Sequence, residues 1–187
     1  MNTTAHLLVG LAAFSRPGDR PVTTSAIVGS LLPDISLYAM AAFALFVQNL
    51  PPSVIFGQLY FSPKWQAVFA VDNSVFVYLI VVCFGGFLKS RWLMVLGGAA
   101  LLHILLDFPL HHDDGRPHFW PATDWVFSSP ISYWDRAHYG HIVGGLEALL
   151  SLVLSVVLWR RFPSQIARIL ICLAALSAVL PVWAVIL

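Results

Sequence analysis

Apolar residues dominate the chain in six runs separated by polar and helix-breaking residues. The runs predict helices over about residues 3 to 15, 22 to 47, 65 to 88, 92 to 110, 139 to 159 and 166 to 187. The first opens at the capping residues Thr3 and Thr4 and closes at SRPGDR. It is shorter than the roughly 20 residues that cross a bilayer, so it is expected to enter part of one or to form a tight hairpin with the second. Pro33 is expected to kink or break the second helix, and Pro109 to end the fourth. Two longer connections remain, Asn49 to Lys64 and His111 to Gly140.

Composition gives these runs a solvent. Of 187 residues 59% are hydrophobic and 10% charged, and the mean hydropathy of +0.81 is more than a water-soluble domain of this length can bury. The expected fold is all-α: a single polytopic membrane helix bundle, residues 1–187, of about five or six helices with a short first helix. The N-terminal run has no basic segment before it and carries His6 within it, so it is expected to stay on the mature chain rather than act as a secretory signal. The net charge of +1 and the scattered basic residues give no nucleic-acid footprint. Cys83 and Cys172 stand alone in apolar helices and read as small buried side chains.

Arg16, Arg20, Lys89, Arg91, Arg160, Arg161 and Arg168 fall on one side of this scheme, and Lys64, Arg116 and Arg136 on the other. The bias makes the first side cytoplasmic. In a bacterial inner membrane the aromatic-rich segment 111–140 would then face the periplasm. Its Trp120, Trp125, Tyr133 and Trp134 read most economically as an interfacial belt, with a lid over a lipid-like substrate as the alternative.

The chemistry lies in four acidic residues, Asp34, Asp72, Asp107 and Glu147, each deep in an apolar run. An ionised carboxylate in hydrocarbon costs roughly 2.5–3.5 kcal/mol even on a mild scale, so each needs a metal ion, a proton or a histidine. Counting about 1.5 Å per residue from the cytoplasmic helix ends places His6, Asp34, His103, Asp107, Asp72 and Glu147 between roughly 14 and 25 Å up, one layer in the outer half. HILLD puts His103 and Asp107 four residues apart on one helix face, a spacing suited to chelating one ion. Alone, the pair is equally a polar contact between helices. FPLHHDDGRPHFWP then crowds His111, His112, Asp113, Asp114 and His118 at the outer mouth. Asp113 and Asp114 read as solvated capping residues, and His138 and His141 as interfacial. Glu147, beside Gly144 and Gly145, reads as structural, and Asp72 stands between ligand and supporting partner.

TAHLLVG, GSLLPD and HILLDFPLHHDD, in that order, resemble the bacterial membrane-bound metal-dependent hydrolase family, also described as LexA-binding, inner-membrane-associated hydrolases. The resemblance covers the first two thirds of the chain. The family's N-terminal histidine, Leu-Pro-Asp motif and H-x-x-x-D match His6, Asp34, and His103 with Asp107. Its distant similarity to zinc-dependent phospholipase C and the single-strand nucleases of that fold implies metal-assisted phosphoester hydrolysis. The chain departs from the family where relatives place a histidine-rich motif; here it has VDNS, residues 71–74.

These readings converge on a membrane-embedded hydrolase of a small lipid-like phosphoester, with membrane lipids as its surroundings. Its divalent metal is expected to be zinc, with manganese as the alternative, and the ligands are drawn from His6, Asp34, His103, Asp107, His111 and His118. Asp72 or His112 is expected to move the proton. The alternatives are a metal-transporting or proton-coupled membrane protein, against which the apolar inner half argues, and a non-catalytic membrane subunit whose polar layer locks helices together.

Overall fold

The computed structural model describes residues 1–186, with side chains to residue 180. Its order is α1 (Thr3–Phe14), α2 (Arg20–Phe46), a short α3 (Pro52–Val54) running into a π turn (Ile55–Leu59), α4 (Pro63–Asp72), α5 (Val75–Phe87), α6 (Arg91–Asp107), a 3-10 turn (Arg136–His138), α7 (Gly140–Arg161) and α8 (Gln165–Ile186). Among the described residues there is no strand. The bundle is helical as expected, but the described residues form seven helices of ten residues or more rather than five or six.

The additional helix comes from a break that hydropathy does not register. The run predicted over 65 to 88 divides at Asn73 and Ser74, where the Ser74 hydroxyl caps α5 by accepting from the Val77 amide at 3.3 Å. Loop 108–139 docks on the break. The Val75 amide donates to the His118 carbonyl at 2.9 Å, and the Ser74 hydroxyl to the Trp120 carbonyl at 2.5 Å. Elsewhere α2 continues through Pro33 unbroken, and α6 stops at Asp107, two residues before Pro109.

Helix α1 sits inside the bundle, touching α2, α6, α7 and α8. Asn2, not Thr3 or Thr4, caps it, its side chain accepting from the Thr4 amide at 3.0 Å. Helix α7 ties down both ends. Near the α1 N-terminus Glu147 accepts from the Asn2 amide at 2.9 Å. At the C-terminus Arg161 donates to the carbonyls of Leu11 at 3.1 Å and Ala12 at 2.8 Å. An acid at the positive end of the helix dipole and a base at the negative end both stabilise it. The spacing also fits, since fourteen residues of α7 rise about 21 Å and the twelve of α1 about 18 Å.

Two glycines let the helices carrying the polar residues approach closely. A Cβ on Gly10 would lie 1.7 Å from the Ser30 hydroxyl, and one on Gly29 would lie 2.2 Å from the Leu96 carbonyl oxygen. A side chain on Gly29 would force α2 away from α6, and one on Gly10 would displace the Ser30 hydroxyl. The outer surface is strongly apolar, with Phe46 at 76% exposure and Phe87 at 82%. Among the described residues three helical stretches are long and apolar enough to cross a membrane: Arg20–Phe46, Pro63–Phe87 (α4 with α5) and Gly140–Arg161. Cys83 and Cys172, expected to be buried, lie on this exposed apolar face, because a bundle this thin turns much of each helix outward.

Candidate metal centre

The close approach of α1, α2 and α6 brings His6, His103 and Asp107 into one buried group, whose ligand atoms lie within 4.8 Å of one another. His6 is 2% exposed, His103 1% and Asp107 5%. The two imidazoles stack, with centroids 3.6 Å apart and planes inclined by 7°. One oxygen of Asp107 meets His6 Nε2 at 2.7 Å and the Met1 amino group at 2.5 Å. The other meets His103 Nε2 at 3.2 Å and His111 Nε2 at 3.4 Å.

The His103 tautomer makes this a candidate cation site. Its Nδ1 lies 2.7 Å from the Ser30 carbonyl oxygen, an acceptor only, so the ring proton belongs on Nδ1. In the neutral ring the lone pair of Nε2 then faces a carboxylate oxygen, and this buried nitrogen has no hydrogen-bond partner. Two acceptors facing each other in a dry interior require a cation or a proton between them. Two imidazoles and a carboxylate can ligate a divalent ion, and the Ser30 carbonyl supplies the supporting bond that orients a ligating histidine.

Asp34 borders the group without joining it. Its Oδ1 is 3.8 Å from His103 Nε2 and 3.6 Å from Arg116 Nη1, and its other oxygen accepts from the Thr3 hydroxyl. His111 stands between Asp107 and Asp114, with Nδ1 3.0 Å from Asp114 Oδ1. Burial opposes its protonation, but the two carboxylates outweigh burial and raise its pKa. Asp114 is therefore not a solvated capping residue; it also accepts from the Trp134 indole at 3.0 Å.

The other site candidates point elsewhere. His112 Nδ1 bonds the Ser129 carbonyl at 2.6 Å, and its ring stacks on His138 at 3.5 Å. His118 Nδ1 bonds the Asn73 carbonyl at 3.1 Å, and burial pushes its pKa down to about 4. Asp72 accepts from the Asn73 side chain at 2.9 Å beside the helix break. Neither His112 nor His118 nor Asp72 belongs to the three-residue group.

No protein-family model, curated protein or solved structure matches the chain. Asp107 and Asp34 reach a cavity of about 510 Å³ whose wall also includes His111, Arg116, Tyr133 and Trp134. Two of the aromatic residues expected at a membrane interface thus line the cavity. Arg116 is the residue that sequence reasoning missed. It counted there only as a charge on one side, yet its side chain is buried against Asp34 and stacked over Phe69 at 4.8 Å. The available signal was a lone arginine amid acids and histidines, between Gly115 and Pro117.

Proposed function

We propose that the protein is a multi-pass membrane hydrolase that uses a divalent metal to cleave a phosphoester in a lipid-like substrate. The observation that supports this reading best is the buried His6, His103 and Asp107 group, one member of which opens onto a cavity. The mixed imidazole and carboxylate donors suit zinc, and manganese is the alternative. An ion bound there would polarise a phosphoryl oxygen and make water a nucleophile near neutral pH. The chain's residues would supply the rest. His6 and His103 hold their rings in register, the Ser30 carbonyl fixes the His103 tautomer, and His111, bridging Asp107 and Asp114 at the cavity wall, is placed to exchange a proton with a reacting group.

Elemental analysis of the purified protein, joined to a screen of phosphomonoesters and phosphodiesters with and without EDTA, tests this reading. About one tightly held divalent ion per chain and EDTA-sensitive turnover are expected. A protein that purifies without metal and hydrolyses none of the esters would overturn it.

We further propose a bacterial inner-membrane location with segment 111–140 and the cavity on the periplasmic side, an orientation that the bias of basic residues supports. Ser128 is exposed in that segment. In a background lacking Cys83 and Cys172, Ser128→Cys should react with a membrane-impermeant thiol reagent in intact spheroplasts. Labelling only after lysis would put the site on the cytoplasmic face.

A further inference from the structure

We propose that Arg116 is the anion-binding residue of the cavity, and that the cavity takes a phosphate ester whose apolar chain lies against α2 and the 52–61 segment. The proposal rests on the phosphoester reading for the identity of the anion. Its physical basis is the incomplete pairing of a buried cation.

Arg116 is 6% exposed and is the sole arginine or lysine in the cavity wall. Its Nη1 donates to the Pro33 carbonyl at 3.1 Å and lies 3.6 Å from Asp34, longer than a hydrogen bond. Its Nε is buried with no acceptor. A buried charged donor without an acceptor is costly, and the planar guanidinium fork matches the oxygens of a phosphate. Because Asp34 lies 3.6 Å from Arg116 and 3.8 Å from His103, an anion on the arginine would sit beside the candidate metal centre.

The rest of the cavity is larger than an inorganic anion needs. At about 510 Å³ it falls within the roughly 300–1,000 Å³ typical of organic ligand sites. Leu37, Ala41, Phe56 and Phe61 form an apolar part of the wall, and the two phenylalanines are 53% and 50% exposed. A hydrocarbon chain would cover them while its headgroup meets Arg116. Asp34, Asp107, Asp113 and Asp114 also line the cavity, so the carboxylates outnumber Arg116 and the Met1 amino group, which meets Asp107. The anion should therefore bind better when a divalent cation neutralises Asp107.

Calorimetric titration of dodecyl phosphate into the full chain in neutral detergent, with and without zinc, tests the proposal; inorganic phosphate and dodecanol serve as comparison ligands. Dodecyl phosphate is expected to bind more tightly than either, and more tightly still with zinc. Arg116→Gln should weaken it about ten- to a hundredfold at unchanged metal content, the loss of a charge-assisted hydrogen bond. Arg116→Lys, which keeps the charge without the fork, should lose less and decides the matter if the glutamine variant does not fold; wild-type affinity in Arg116→Lys would overturn the fork assignment. Unchanged affinity in a folded Arg116→Gln would make Arg116 only the counter-ion of Asp34. Equal affinity for inorganic phosphate would remove the apolar chain from the proposal. Arg116-dependent binding in a protein with neither metal nor turnover would uphold the anion site while the hydrolase reading falls. Metal-dependent turnover with an indifferent Arg116→Gln would sink the anion site alone.

Discussion

Asp107→Asn is expected to abolish tight metal binding and to lower phosphoester turnover by at least about a thousandfold, the scale of losing a principal electrostatic contributor. The carboxylate is shared by His6, His103 and His111 and by the Met1 amino group, so it joins the members of the centre. Asparagine keeps the volume but brings an N–H₂ donor and no charge. Metal per chain and melting temperature with and without EDTA make the test specific. Wild type should lose stability on chelation and regain it with zinc, because a ligand bound only to the folded state stabilises it by mass action. Asp107→Asn and His103→Ala should ignore both treatments. If His103 makes only a polar contact from α6 to the Ser30 carbonyl of α2, losing that interhelical hydrogen bond in His103→Ala should cost about 0.6 kcal/mol and the wild-type melt should be indifferent to EDTA. That result, with no copurified metal, would remove the metal centre and the hydrolase reading with it.

A second large effect is expected where two buried acids differ in their partners. Asp34→Asn leaves the buried Arg116 guanidinium without its nearby carboxylate, and breaking such a pair costs about 3–5 kcal/mol. Glu147→Gln keeps an oxygen that can accept from the Asn2 amide, so its cost should stay within about 1 kcal/mol. Asp34→Asn should also change metal content, since Asp34 lies 3.8 Å from His103, whereas Glu147→Gln should not. Thermal unfolding and metal content of the two variants decide this. Equal losses would mean that the centre extends along α1 to Glu147.

Local pattern determined much of this protein. The apolar runs correspond to helices, because a long apolar segment must satisfy its backbone internally. HILLD set His103 and Asp107 on one face of α6 by helical spacing, and Pro109 lies just beyond the end of that helix, since both are short-range effects. The antiparallel return of α2 beside α1 similarly brought Asp34 close to the level of His6, and the hydrogen bond from Thr3 to Asp34 joins the two helices there.

Tertiary structure decided what has no period. Three adjacent features in the loop after α6 diverge in space: His111 turns to Asp107, His112 stacks on His138, and Arg116 reaches Pro33 and Asp34 across 83 and 82 positions of sequence. Nothing in the order of residues 111–118 distinguishes them, because their places depend on where the loop folds back. That docking is set by Ser129 and Tyr133 donating to the His111 and Leu110 carbonyls, and by Val75 donating to His118 at the break between α4 and α5. The break was invisible to hydropathy for the same reason. VDNS reads as polar residues within an apolar run, and partners distant in sequence, the Pro33 carbonyl for Asn73 and the His118 and Trp120 carbonyls for Val75 and Ser74, complete the break.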